Sequence, residues 1–278
     1  MIPASQYLSA ANGHHFTRGQ EREFFRRIKT SNGTKKSTAP RRLDAMNALF
    51  FSTVAKLGAA PKVAMDVGVS SGVTTLEWLE AFDRHDLHVT MIATDFVMNV
   101  DLYAIGRHMR ALTEKNGHLL QLELFGRGIR THLRGRDYLT GAILWRPVLC
   151  SLARARLAQA ERQGSFQLVS PALRGQQRIR LADDDIFAPN PASFVRSTDV
   201  VRIGNLIQPI YFSDDQIRRA AANIAERCRG EGSFVIVCRN TDTGLDGSIL
   251  RMNGARRFDV AARLGKGSEV ESYFTAAS

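Results

Sequence analysis

Cysteine is scarce in this 278-residue chain: Cys150, Cys228 and Cys238 lie far apart, without the spacing of a metal site. All three are expected to be reduced and structural, and no metal ligand set is expected. No apolar run approaches the roughly 18 residues of a membrane-spanning helix. The first 13 residues have no cationic start followed by an apolar block, so they do not read as a signal peptide. A cytoplasmic location is the expectation. The chain's first small-residue turn is not followed by a Lys-Ser/Thr pair, which argues against a P-loop. No histidine or cysteine stands out as a general base. The basic stretches lack the interleaved aromatics of an RNA-binding sheet, so nucleic acid is not the favoured partner.

What is present is ample apolar content and an uneven positive charge. Hydrophobic residues make up 44%, enough for one large α/β domain, or one with elaborations. The net charge of +11 is concentrated in two stretches. Residues 1–60 hold ten Lys/Arg against three Asp/Glu, and residues 106–180 hold fourteen against four; the remainder is slightly acidic, with fourteen against twenty. The excess serves solubility, or it attracts an anionic partner.

The chain centres on Val63-Ala-Met-Asp-Val-Gly-Val-Ser-Ser-Gly-Val73. An apolar strand runs into a turn of small residues, and a helix pattern begins near Val73 with Leu76, Trp78, Leu79 and Phe82. Gly68 and Gly72 let the backbone turn tightly and approach a ligand. Ser70 and Ser71 stand where the G-x-G-x-x-G pattern has its middle glycine. A second buried strand, Val89 to Asp95, ends in a carboxylate 29 residues after Asp66. Such an acid reaches a ribose diol in dinucleotide-binding folds and in folds that bind S-adenosylmethionine.

Around this pair the chain reads as follows. Residues 1–17 look like a frayed terminus, and Gln20 to Lys29 forms a short basic helix bearing Phe24, Phe25 and Ile28. A helix over about 41–57 ends at Gly58 and Pro61. Residues 1–58 are expected to be a helical arm, packed on the core or covering a cofactor pocket. Residues 59–278 form the nucleotide-binding domain, interrupted by a large insertion at about 96–178. Within it Leu102 to Thr113 reads as a helix and Leu119 to Phe125 as one arm of a hairpin. Ile143 to Gln163 reads as a long basic amphipathic helix, either packed on the domain or lying on a membrane surface. The core resumes with strands at 178–181 and 199–203. Ser213 and Gln216 form a capping box, and the helix they start runs to about Cys228. A fifth strand spans 233–238, and 247–252 with 258–264 suggests a terminal antiparallel hairpin. Asp66, Asp95, Asp185 and Asn205 all fall at carboxyl ends of strands, where open α/β sheets bind ligands. Each also has a plain structural role to hand, as a cap or turn residue.

The order Asp66-x-Gly68-x-Ser70-x-Gly72, followed by Asp95, resembles class I S-adenosylmethionine-dependent methyltransferases. The stretch from Asp199 to Val237, with Asn205, Tyr211-Phe212, an acidic helix start and a glycine turn, resembles their chemotaxis-receptor branch. It departs by two extra residues before Tyr211 and by Glu231. The resemblance implies a doubly wound, mostly parallel seven-stranded sheet with helices on both faces and its last strand antiparallel. It implies S-adenosylmethionine as cofactor, with Asp66 and the backbone at Gly68, Ser70 and Gly72 meeting its methionine part. Asp95 would take the ribose; Asp185, with Asp184 and Ile186 beside it, the adenine. Asn205 and Tyr211 would border the methyl group and the acceptor. The expected acceptor is a small or lipid-like molecule, with RNA or a non-catalytic partner as alternatives.

Overall fold

The computed structural model describes residues 1–9 and 16–275. The elements begin with helices α1 (Ala4–Leu8), α2 (Arg18–Arg26) and α3 (Asp44–Lys56), strand β1 (Val63–Val67), helix α4 (Val73–Arg84) and strand β2 (Thr90–Asp95). There follow β3 (Asn99–Ala104), β4 (Met109–Glu114), β5 (Leu119–Leu124), β6 (Arg127–Arg130), α5 (Ala142–Leu157), β7 (Glu161–Gln167) and α6 (Pro171–Arg174). The last part holds β8 (Ile179–Asp183), β9 (Val200–Gly204), α7 (Asp214–Arg227), β10 (Phe234–Thr241), β11 (Gly244–Met252), β12 (Phe258–Leu264) and α8 (Glu271–Thr275).

These elements form two compact units: Met1–Thr38 with Val97–Gly175, and Ala39–Phe96 with Gln176–Ser278. The division corrects the expected arm at 1–58. Residues 1–38 share a core with the insertion, because Tyr7, Phe24, Phe25 and Ile28 pack on Val100, Leu102, Leu112 and Leu120. Residues 1–9 are accordingly not frayed: Tyr7 and Leu8 are buried. Residues 10–15 of that expected frayed stretch lie outside the described residues. Of the expected arm, only α3 and the residues flanking it from 39 to 58 belong to the larger unit.

The larger unit is a seven-stranded sheet in the order β12-β11-β10-β9-β1-β2-β8. Strands β8, β2, β1, β9 and β10 run parallel. Strand β11 is antiparallel to β10, and β12 is antiparallel to β11. The terminal hairpin read from the sequence is therefore present, but the antiparallel member is the sixth strand. The last strand returns to the common direction, because two tight turns leave no crossover helix to carry it elsewhere. Period-two alternation sorts the side chains. Met65, Val67, Val201, Ile203, Val235 and Val237 meet Ile217, Ala220, Ala221 and Ile224 of α7 in one core. The opposite face carries α3 and α4, with Phe50 set edge-on to Trp78, Phe82 and Phe234.

The smaller unit is an antiparallel sheet, β6-β5-β4-β3-β7, with α1 and α2 on one face and α5 on the other. Leu102 to Thr113, expected as a helix, is two strands of a hairpin turning at Gly106, whose φ of 79° suits glycine. The helix expected to reach Gln163 stops at Leu157. Glu161 to Gln167 instead pairs with β3 as a polar edge strand. No helix among the described residues is long and apolar enough to cross a membrane.

Candidate functional site

The site is built on the switch in strand order, where β1 is flanked by β2 on one side and β9 on the other. Between β1 and α4 the backbone is left-handed at Gly68 (φ 74°), Ser70 (φ 58°) and Gly72 (φ 86°). Three N–H groups hold this turn to the end of β2. Gly68 and Val69 donate to the Thr94 carbonyl at 2.8 and 3.1 Å, and Ser70 donates to Oδ2 of Asp95 at 2.7 Å. Asp95 is half-buried. The second carboxylate of the motif and the glycine turn are thus one assembly. A Cβ on Gly68 would lie 3.1 Å from Cδ2 of Leu206, so Leu206, beyond β9, packs over the turn. Sequence reasoning missed Leu206, which no pattern marks.

Asp66 is not exposed at these strand ends. It is buried, and Arg202, the residue opposite it on β9, donates Nε to Oδ1 at 3.0 Å and Nη2 to Oδ2 at 2.7 Å. Thr75 adds its hydroxyl at 2.7 Å. Arg202 is itself fully buried, donates to Asn47 of α3 and the Thr74 carbonyl, and lies 4.2 Å from the Trp78 ring centroid. The expected ligand contact at Asp66 is therefore a structural anchor joining β1, β9, α3 and α4. The sequence did carry a signal: an arginine inside Val-Val-Arg-Ile must find a carboxylate if the strand is buried.

Asp184 is corrected in the same way. Its side chain is 2% exposed, takes two bonds from buried Arg227 at 2.6 and 2.9 Å, and accepts from the Thr94 hydroxyl at 3.0 Å. Arg227 occupies the apolar face of α7, three residues after Ile224, which is where a paired cation fits. Ile186 is buried in the core cluster beside α7. Asp185 remains exposed at the carboxyl end of β8, with Oδ1 accepting from the Phe187 N–H at 3.0 Å.

Asn205 follows β9 with a left-handed φ of 58°. Its amide pairs with Asn240: Oδ1 accepts the Asn240 N–H at 2.6 Å, and Nδ2 donates to Oδ1 of Asn240 at 3.0 Å. It braces the ends of β9 and β10 and keeps a second amide hydrogen for another acceptor. Tyr211 is 72% exposed, next to Ile210 at 77%. Gly68, Ser70, Gly72, Asp95, Asp185 and Asn205 thus share one end of four adjacent strands, and Asp66, Asp184 and Ile186 belong to the core beneath. No metal-binding cluster occurs among the described residues. A cavity of about 520 Å³ belongs to the smaller unit, where Leu8, Asn99, Phe166 and Arg174 line it; the chemistry-bearing strand ends are not part of it.

No protein-family model and no curated protein matches the chain. Solved structures are similar to it at low identity. The N-methyltransferase NodS from Bradyrhizobium japonicum, in complex with S-adenosyl-L-homocysteine, is 10% identical at TM-score 0.37, over 80% of this chain and 73% of that one. An O-methyltransferase family protein from Burkholderia thailandensis is 12% identical at 0.33, over 72% and 39%. The [4+2]-cyclase SpnF is 12% identical at 0.31, over 70% and 45%. The chain thus spans less than half the length of the last two, and likeness at these scores fixes neither family nor reaction.

Proposed function

We propose that the larger unit binds S-adenosylmethionine and transfers its methyl group to a small or lipid-like acceptor. The observation that carries this reading is Asp95, bonded through Ser70 to a left-handed glycine turn at the switch point. A carboxylate offers about four lone-pair sites, so holding the Ser70 N–H is compatible with accepting ribose hydroxyls as well. The backbone at Gly68, Ser70 and Gly72 would hold the methionine part, and exposed Asp185 the adenine. When bound, the cofactor supplies a methyl group already activated on a sulfonium. The protein's task is then alignment of the acceptor, with water excluded. Leu206 presents an apolar wall beside the turn, and Asn205 a fixed amide hydrogen. Ile210 and Tyr211 offer an exposed apolar edge for the acceptor. No residue is assigned as general base. The resemblance to the chemotaxis-receptor branch enters only through 199–239 and does not extend to receptor glutamates.

Calorimetry of the whole chain with S-adenosylmethionine and with NAD tests the reading. Binding of the first alone is expected; binding of NAD without S-adenosylmethionine would end it.

A further inference from the structure

Helix α5 is apolar on both sides. One side, with Leu149, Cys150, Ala153 and Leu157, packs on β4 and β5. The other presents Leu144 (76% exposed), Trp145 (45%), Val148 (67%) and Leu152 (43%). Leu144, Val148 and Leu152 are spaced by four and form one stripe along the helix. The ridge continues into the segment before the helix, where Leu139 is 89% exposed and Tyr138 71%. A surface helix ordinarily turns a polar side outward, and a contiguous apolar face marks an interaction site.

The charge beside the ridge says what covers it. Leu133, also exposed, lies between His132 and Arg134. Burial and the arginines at 130, 27 and 26 push the Arg134 guanidinium below its ordinary value. Burial and then Arg134, Arg130, Lys35 and Lys29 push His132 down to about 4. The carboxylates nearby are already used: Asp137 takes Arg130 and Arg146, and Glu23 takes Arg27. Arg154 and Arg156 of α5 are exposed and have no carboxylate partner among the described residues. Asp137, through its two arginines, ties the cationic end of β6 to α5 itself. An apolar ridge of Trp, Leu and Val rimmed by cations is the composition of an interfacial helix.

We propose that this face of the smaller unit docks on an anionic lipid surface. Leu139, Leu144, Trp145 and Val148 enter the boundary between headgroups and acyl chains, while Arg134 and the exposed Arg154 and Arg156 of α5 itself meet the headgroup anions. The inference stands apart from methyl transfer, since it uses none of the strand-end residues of the larger unit.

The test is flotation of the full chain with phosphatidylcholine vesicles, with and without phosphatidylserine, at low and moderate salt. Trp145 emission is followed alongside; Trp78 is fully buried and serves as the unresponsive background. Binding to the anionic vesicles alone is expected, weakened by salt, with a blue shift of Trp145. Arg134→Gln should weaken it about fivefold, and Leu144→Glu and Val148→Glu should each weaken it more. Leu144 and Val148 are exposed and Arg134 is half-buried, so melting temperatures are measured for all three variants, and unchanged values confirm that they fold. Failure to bind anionic vesicles overturns the inference, as does equal binding to neutral ones. So does a solution dimer that Leu144→Glu dissociates, or salt-dependent RNA binding without vesicle binding.

Discussion

Replacing Arg202 by Met tests whether Asp66 is an anchor or a ligand contact. Methionine roughly fills the space of the aliphatic stem, but leaves the Asp66 carboxylate buried with only the Thr75 hydroxyl. Removing one member of a buried ion pair costs about 3–5 kcal/mol, because the remaining charge stays desolvated. The bonds to Asn47 and Thr74 and the contact with Trp78 are lost too, so the upper part of that range applies. Against a total of about 5–15 kcal/mol, this is a large fraction. For a unit of about 160 residues, each kcal/mol moves the melting temperature by about 2–4 °C. A fall of roughly 10–15 °C is expected by differential scanning calorimetry. Asp66→Asn combined with Arg202→Met should recover part of it, since no unpaired charge then remains. A single variant melting within about 2 °C of the parent would refute the anchor, and with it the reassignment of Asp66 away from the cofactor.

Asp95→Ala should weaken S-adenosylmethionine affinity at least about tenfold, through loss of charge-assisted bonds worth about 1.5–3 kcal/mol each. It should also lower stability by about 1–2 kcal/mol, since the Ser70 N–H loses its acceptor; isothermal and scanning calorimetry read the two effects separately. Gly68→Ala should destabilise the unit by about 1–3 kcal/mol, because φ of 74° strains an alanine and its Cβ meets Leu206; circular dichroism melts check this. His132 has a folded pKa depressed below its unfolded value, so the unfolded chain binds the extra proton. Stability should therefore fall as pH drops from about 6.5 to about 4, by about 1–2 kcal/mol after allowance for partial solvent exposure. His132→Gln should flatten that slope in urea titrations at pH 7 and 4.5.

The parts of the fold visible in the sequence are those decided within about 15 residues. The run from Val63 through the turn into α4 declares itself by composition, and the α7 start by its Ser213–Gln216 capping box. The β3–β4 hairpin departs from the expected helix because its apolar residues also satisfy a helical spacing, while Gly106 breaks the run and turns the chain back. Strand β7 shows no alternation, since it lies at a polar sheet edge and pairs on one side only. Long-range partners were out of reach. Nothing local joins Asp66 to Arg202, Asp184 to Arg227, or Tyr7 to Leu120, and each pairing exists only once distant segments meet. The strand-end acids therefore look alike in sequence, although Asp66 and Asp184 face the core while Asp95 is half-buried and Asp185 exposed at the strand ends.

The two closing hairpins of the larger sheet also govern when the chain can mature. Helix α3 lies against β11 and β12, and a Cβ at Gly247 would collide with Met46 Cε, so the Met46 side chain rests directly on the strand backbone. On the ribosome Met46 is made about 200 residues before Gly247, a delay of roughly 10–40 s at ordinary elongation rates. Strands β1, β2 and β9 can pair in that interval, while the side of α3 meant for the sheet edge waits uncovered. A nascent chain halted after Thr241 should thus hold the parallel strands yet bind hydrophobic-surface dyes, and release of the last two strands should quench that signal in a single late step.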